Sequence, residues 1–266
     1  MRSAMAWLAG MACLTSAAFA GEAASKPQAA AKPNAEGWTV LFDGKNMDAW
    51  DIQPDSWEIK DGAMAKTEQG KGYAWSKEQY GDFVLDLEFM NSPKTNSGVF
   101  IRTGNTKDPV QTGIEIQVFD DTAPKPAAAP ATAKKKGEAK AKPAATPAAA
   151  EKKAAPKAEE ATKGPDKHSC GAVYDAAAPK TLAVKKPGEW NHMVITCKGS
   201  KIQIELNGEP IIDADLDQWT QAGMNPDGTK NKFKTALKDM PRTGFVGLQA
   251  HGTPIAYRNI RIKALG

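Results

Sequence analysis

From Trp38 onward, apolar residues recur at every second position in short runs, and most runs stop at glycine, proline, asparagine or aspartate. "FVLDLEFMN" sets Phe83, Leu85, Leu87 and Phe89 against Val84, Asp86, Glu88 and Met90. A period of two marks a strand with one face on a core, because successive side chains leave a strand on opposite sides. The same reading covers "WTVLFD", "SGVFIRTG", "GIEIQVFD", "GEWNHMVITCKG", "KIQIELNGEPIID", "GFVGLQAHG" and "IAYRNIRIKAL". Asp61-Gly62 divides "SWEIKDGAMAKT" into a hairpin, and Asn207-Gly208 marks another, since such dipeptides accept the positive φ of tight turns. Residues 220–237 lack strand character, and their glycine, proline and asparagine content predicts a long loop. About a dozen short strands with no alternating helices predict an all-β, antiparallel two-sheet sandwich.

One segment cannot join it. Residues 123–167, "APKPAAAPATAKKKGEAKAKPAATPAAAEKKAAPKAEEATKGPDK", hold no aromatic and no branched aliphatic residue except threonine. With nothing to bury, and with proline recurring, the segment reads as a disordered insert within one domain. Its eleven lysines against five acids give +6, so subtracting it takes the chain's +4 to −2. The basic balance belongs to the insert rather than to the domain. No aromatic is interleaved for base stacking, which argues against nucleic acid as a partner. A solvated tether and an electrostatic hold on an anionic surface both fit. The flanking pieces, 37–122 and 168–266, total about 185 residues, ample for one two-sheet core.

Residues 1–20 carry Arg2, a short apolar run and Ala18-Phe19-Ala20, the pattern of a cleaved secretory signal peptide, and 21–36 read as a flexible leader. The mature protein is thus expected in the periplasm or outside the cell, with no transmembrane segment. There Cys170 and Cys197 are permitted to pair, or they remain buried thiols.

The motifs "GWTVLFDGKNMDAW", "WEIKDGAMAK", "YGDFVLDLEFMNSPKTNSGVFIR", "GIEIQVFDD", "GAVYDAAAP", "PGEWNHMVITCKGSKIQIELNGEPIIDAD" and "GFVGLQAHGTPIAYRNIRIKAL" follow one another along the chain. Their order resembles the 3-keto-disaccharide hydrolase-like domain family. The resemblance covers essentially all of 37–121 and 168–266; the insert after Asp121 departs from the pattern. It implies a concanavalin A-like jelly roll, with a concave sheet facing carbohydrate.

Three runs then offer a polar face. In "GIEIQVFD", Glu115 and Gln117 alternate with core residues. In "NSGVFIR", Gly98, Phe100 and Arg102 share a face, with Asn96 just before Ser97. In "GFVGLQAHG", Gly247, Gln249 and His251 do so. A solvated outer face is the plain alternative. Yet planar hydrogen-bonding groups suit sugar hydroxyls, and Trp75, Tyr80 and Tyr174 are candidate aromatic platforms. The resemblance implies chemistry on a 3-keto-glycoside, whose carbonyl acidifies the C2 proton. A base removes it and the enolate expels the aglycone from C1; the reaction ends there as an elimination, or water adds to the enone and completes a net hydrolysis. His251 is the preferred base or acid and Glu115 the second, able to exchange roles. Arg102 is expected to stabilise the enolate oxygen. A divalent cation held by Glu115 and His251 is an alternative carrier of that charge. Such a substrate requires a sugar 3-oxidoreductase upstream. A non-catalytic carbohydrate-binding module and a surface anchoring protein are the competing readings.

Overall fold

The computed structural model describes residues 33–122 and 164–266. The expected signal peptide, most of the leader and most of the low-complexity insert lie outside them. Thirteen strands form two antiparallel sheets, a jelly-roll sandwich with almost no helix. The smaller sheet runs β2 (Trp50–Ile52), β5 (Gly72–Tyr80), β12 (Gly244–Ala250), β7 (Asn96–Thr103), β8 (Ile114–Phe119). The larger runs β11 (Glu209–Asp215), β10 (Lys201–Leu206), β9 (Trp190–Lys198), β6 (Phe83–Asn91), β13 (Ile255–Ala264), β4 (Ala63–Lys66), β3 (Trp57–Lys60). There β1 (Trp38–Phe42) also pairs with β13. Among the described residues no helix is long and apolar enough to cross a membrane.

The alternation in β6 becomes one wall of the core. Phe83, Leu85, Leu87 and Phe89 are each 0% exposed. They belong to one cluster with Val99, Ile116, Val118, Val246 and Leu248 from the smaller sheet. Each such side chain contributes about 1.5–3 kcal/mol relative to exposure. Since the inner face of the smaller sheet is spent on this core, its other alternating set must face away from it. That set includes the polar residues of the site.

Two strands depart from the sequence reading. β2 falls where no strand is read from the sequence, and β5 falls in "GYAWSKEQY", where small and charged residues interrupt the strand-favouring tyrosines and tryptophan. Tertiary pairing overrides that weakness: β5 sits between β2 and β12, with Ala74 and Ser76 buried. Cys170 and Cys197 are separate buried thiols, and burial pushes each up to about 12. The low-complexity segment also ends sooner than expected, because Lys167 is placed, with its ammonium 2.7 Å from Asp227.

Beyond Gly164 the chain returns along β8, on the side that β7 does not occupy. Gly171 N–H donates to the Gln117 carbonyl at 2.8 Å, and Gln117 N–H donates to the Ala172 carbonyl at 3.0 Å. Tyr174 N–H donates to the Glu115 carbonyl at 2.9 Å. The backbone that carries Glu115 and Gln117 is therefore bonded on both sides.

Candidate active site

Strand register lays the outer residues of the smaller sheet in rows. One row runs Trp75, Gly247, Phe100, Glu115. In the next, Tyr73 pairs with Gln249 and Gly98 with Gln117, and Gln249 lies one step beyond the Leu248–Val99 pair. The third holds Asn96 opposite Phe119, with Gly252 bridged to Asn96 and His251 beside it. Rows on one face lie about 7 Å apart, two residues of strand rise.

Two glycines hollow the middle of this array. A Cβ at Gly247 would collide with the indole of Trp75, so that ring lies down over the glycine. Tyr73 stacks on Trp75 with ring centroids 4.8 Å apart, and Phe100 meets both edge-on. A Cβ at Gly98 would come within 2.8 Å of Glu115 Oε1, so the carboxylate leans over the second row. Gly98→Ala is expected to push that carboxylate aside. Misplacement by about 1 Å costs on the order of 10²-fold in rate, so kcat should drop while the melting temperature barely moves. Wild-type kcat in the alanine variant would show that the glycine is not there to seat Glu115.

Glu115 is buried, with its Oε2 3.0 Å from the ammonium of Lys232. That ammonium also stands 4.0 Å from the ring centre of Tyr174. Burial, the largest influence, raises the Tyr174 phenol, and the charge of Glu115 pushes the same way, so Tyr174 stays neutral. Burial likewise raises Tyr73, which accepts a 3.5 Å hydrogen bond from Gln249 Nε2.

His251 occupies the far side. Asn96 N–H donates to Thr253 Oγ1 at 3.0 Å, and the Thr253 hydroxyl donates to the His251 carbonyl at 3.2 Å, which pins the turn. Gln117 Nε2 donates to Asn96 Oδ1 at 3.2 Å, which directs Asn96 Nδ2 to His251 Nδ1 at 3.5 Å. An imidazole receiving at Nδ1 carries its proton on Nε2 when neutral. The same chain leaves Gln117 Oε1 buried with no hydrogen-bond partner.

Glu115, Gln117, Asn96, Gln249, His251, Trp75 and Tyr174 thus gather around one trough. Arg102 does not. Phe100 pairs with Gly247 and Thr103 with Phe245, leaving Ile101 and Arg102 opposite Val246 alone. This bulge, with Arg102 at φ 50°, breaks the alternation. The residue is 1% exposed, and its side chain bonds the Gly81 and Gly199 carbonyls and Asp82. Gly199 lies between β9 and β10, so Arg102 ties the two sheets together instead of lining the trough. Tyr80 also leaves the expected set: it packs edge-on to Phe83, and burial pushes its phenol up to about 12.

The two residues expected to hold a cation each face another partner. Lys232 holds Glu115, His251 faces Asn96, and among the described residues no cluster of three His, Cys, Asp or Glu is placed to hold a metal. Sequence reasoning missed Lys232 and Tyr73. Tyr73 shares a face with Trp75 two residues on, a signal that recognising β5 would have exposed. Lys232 stands in the loop, where no periodicity reports it.

The family model for a 3-keto-alpha-glucoside-1,2-lyase-like domain matches residues 37–263. A 3-keto-disaccharide hydrolase of Bacteroides thetaiotaomicron is 24% identical over 254 residues, covering 87% of this chain and 80% of that protein. A crystal structure from Parabacteroides distasonis, provisionally classed as a glycosyl hydrolase, is 32% identical with a TM-score of 0.66, covering 86% of this chain and 99% of that one. A second structure from the same organism, classed alike, is 22% identical with a TM-score of 0.61, covering 87% and 96%, and shows the shared fold.

Proposed function

Because the chain belongs to the 3-keto-alpha-glucoside-1,2-lyase-like domain family, we propose that it cleaves 3-keto-glycosides by removing the C2 proton and releasing the aglycone from C1. The observation that carries this reading is the trough itself. A buried carboxylate leans over Gly98 from one side, and an imidazole fixed through Asn96 stands on the other.

The hydrogen-bond polarity supports one division of roles. Glu115 takes the C2 proton; the C–H electron pair forms C2=C3, and the carbonyl pair moves to the C3 oxygen. The enolate then collapses: C3=O re-forms, C1=C2 forms, and the C1–O bond breaks. His251 presents Nε2–H, because Asn96 Nδ2 points at its Nδ1. It therefore hydrogen-bonds the leaving oxygen as charge develops there, and the proton follows from water. Water added across C1=C2 completes hydrolysis. The rings of Trp75 and Tyr73 offer an apolar surface to the sugar beside them, and Gln249 bonds its hydroxyls, while the buried Gln117 acts from beneath by orienting Asn96.

Purified protein incubated with a 3-keto-disaccharide should release the aglycone, whereas the unoxidised disaccharide should stay intact. Binding of the keto sugar without turnover would favour a non-catalytic carbohydrate-binding module. His251→Ala should lower kcat by about 10²–10³-fold, the cost of losing one oriented donor. His251→Gln, which keeps an N–H near the Nε2 position and cannot titrate, should restore much of it. A glutamine variant as slow as the alanine one would return His251 to an acid–base role. We propose export as well, on the N-terminal pattern: mature protein from the periplasm or medium should begin at Gly21, and full-length cytoplasmic protein would exclude it.

A further inference from the structure

We propose that Lys232 is a catalytic residue of this reaction, the cation that binds the C3 oxygen as it becomes an enolate; this deepens the function proposed above and rests on it. Enolate formation places a full negative charge on that oxygen, and a fixed positive group is worth most in a water-poor site. Arg102 is committed to the joint between the sheets. Among the described trough residues the positive charge is that of Lys232.

Its placement is built rather than incidental. The backbone N–H of Lys232 donates to Asp175 Oδ2 at 2.6 Å, and its carbonyl accepts from Gln111 Nε2 at 3.1 Å. Lys234 N–H returns a bond to Gln111 Oε1 at 3.0 Å. A loop of weak local structure is thereby gripped on both sides of the one residue whose ammonium enters the trough. That ammonium has two near partners, Glu115 Oε2 at 3.0 Å and the face of Tyr174 at 4.0 Å, with the Phe233 ring centre further off at 5.6 Å. They respond differently to the reaction. When Glu115 accepts the C2 proton it loses its charge and its claim on the ammonium. The aromatic face keeps its attraction and holds the cation in place. The bond Lys232 made to Glu115 then passes to the newly negative C3 oxygen, a net shift of one hydrogen bond with no change in total charge.

A structural reading would make Lys232 only a clamp on a buried carboxylate, and the test separates the two. Lys232→Met preserves the length of the side chain and removes its charge. With a 3-keto-glucoside, kcat should drop more than 100-fold while KM stays within about threefold, and Lys232→Arg should recover at least tenfold. In the Glu115→Gln background, where no carboxylate remains to be clamped, Lys232→Met should still slow residual C2–H/D exchange of bound substrate by tenfold or more. No further loss there would reduce Lys232 to a clamp and overturn the inference, as would wild-type kcat in Lys232→Met. A rise in KM with kcat intact would assign it to ground-state binding and overturn it equally. Inactivity of the wild-type chain on every 3-keto-glycoside would instead defeat the proposed function itself.

Discussion

Glu115→Gln is expected to lower kcat on a 3-keto-glucoside by about 10²–10⁴-fold, the range that loss of a positioned base costs. The variant is nearly isosteric, so the trough should keep its shape and the keto sugar should still bind. The carboxylate has little other work: its backbone is bonded on both sides, and removing its charge also releases Lys232 from an ion pair. Stability should fall by a modest amount, since Lys232, 21% exposed, loses its carboxylate partner but keeps some water and the ring of Tyr174. Exchange of the C2 proton in D₂O is the sharper readout, because it follows the base without requiring the leaving group to depart. Exchange at the wild-type rate with slow cleavage would move Glu115 to the leaving-group side of the mechanism.

Arg102→Met should do the reverse, costing stability and sparing catalysis. The guanidinium satisfies the carbonyls of Gly81 and Gly199 and pairs with Asp82 at 2.9 Å, with its own side chain 0% exposed. Removing one partner of a buried ion pair typically costs about 3–5 kcal/mol, and the low end applies because Asp82, 33% exposed, retains water. For a domain of this size, about 3 kcal/mol lowers the melting temperature by roughly 6–12 °C. Well below that temperature, kcat per folded molecule should match wild type. A melting temperature equal to wild type with collapsed turnover would restore Arg102 to the chemistry.

These two residues show where sequence reading succeeds and where it stops. Glu115 and Gln117 were legible because β8 alternates without interruption, and its other face is occupied by Ile114, Ile116 and Val118. Arg102 shared that apparent periodicity with Gly98 and Phe100, but one extra residue in β7 opposite Val246 reverses the parity of all that follows. No composition marks such a bulge. β5 was hidden for another reason: "GYAWSKEQY" gains its strand geometry from β2 and β12 on either side, not from its own propensities. With it went the pairing of Tyr73 and Trp75. Lys232 lies 117 positions from Glu115 along the chain, in a segment defined by turn bonds rather than by a period, so only the folded topology brings the two together.

The return of residues 171–174 along β8 bears on behaviour at high concentration. An open strand there would present unpaired amides and carbonyls to any neighbouring copy, at the very border of the trough. With Gly171, Ala172 and Tyr174 already bonded to that border, stacking of molecules through this edge is blocked, and a second chain cannot add itself there as a strand beside the trough.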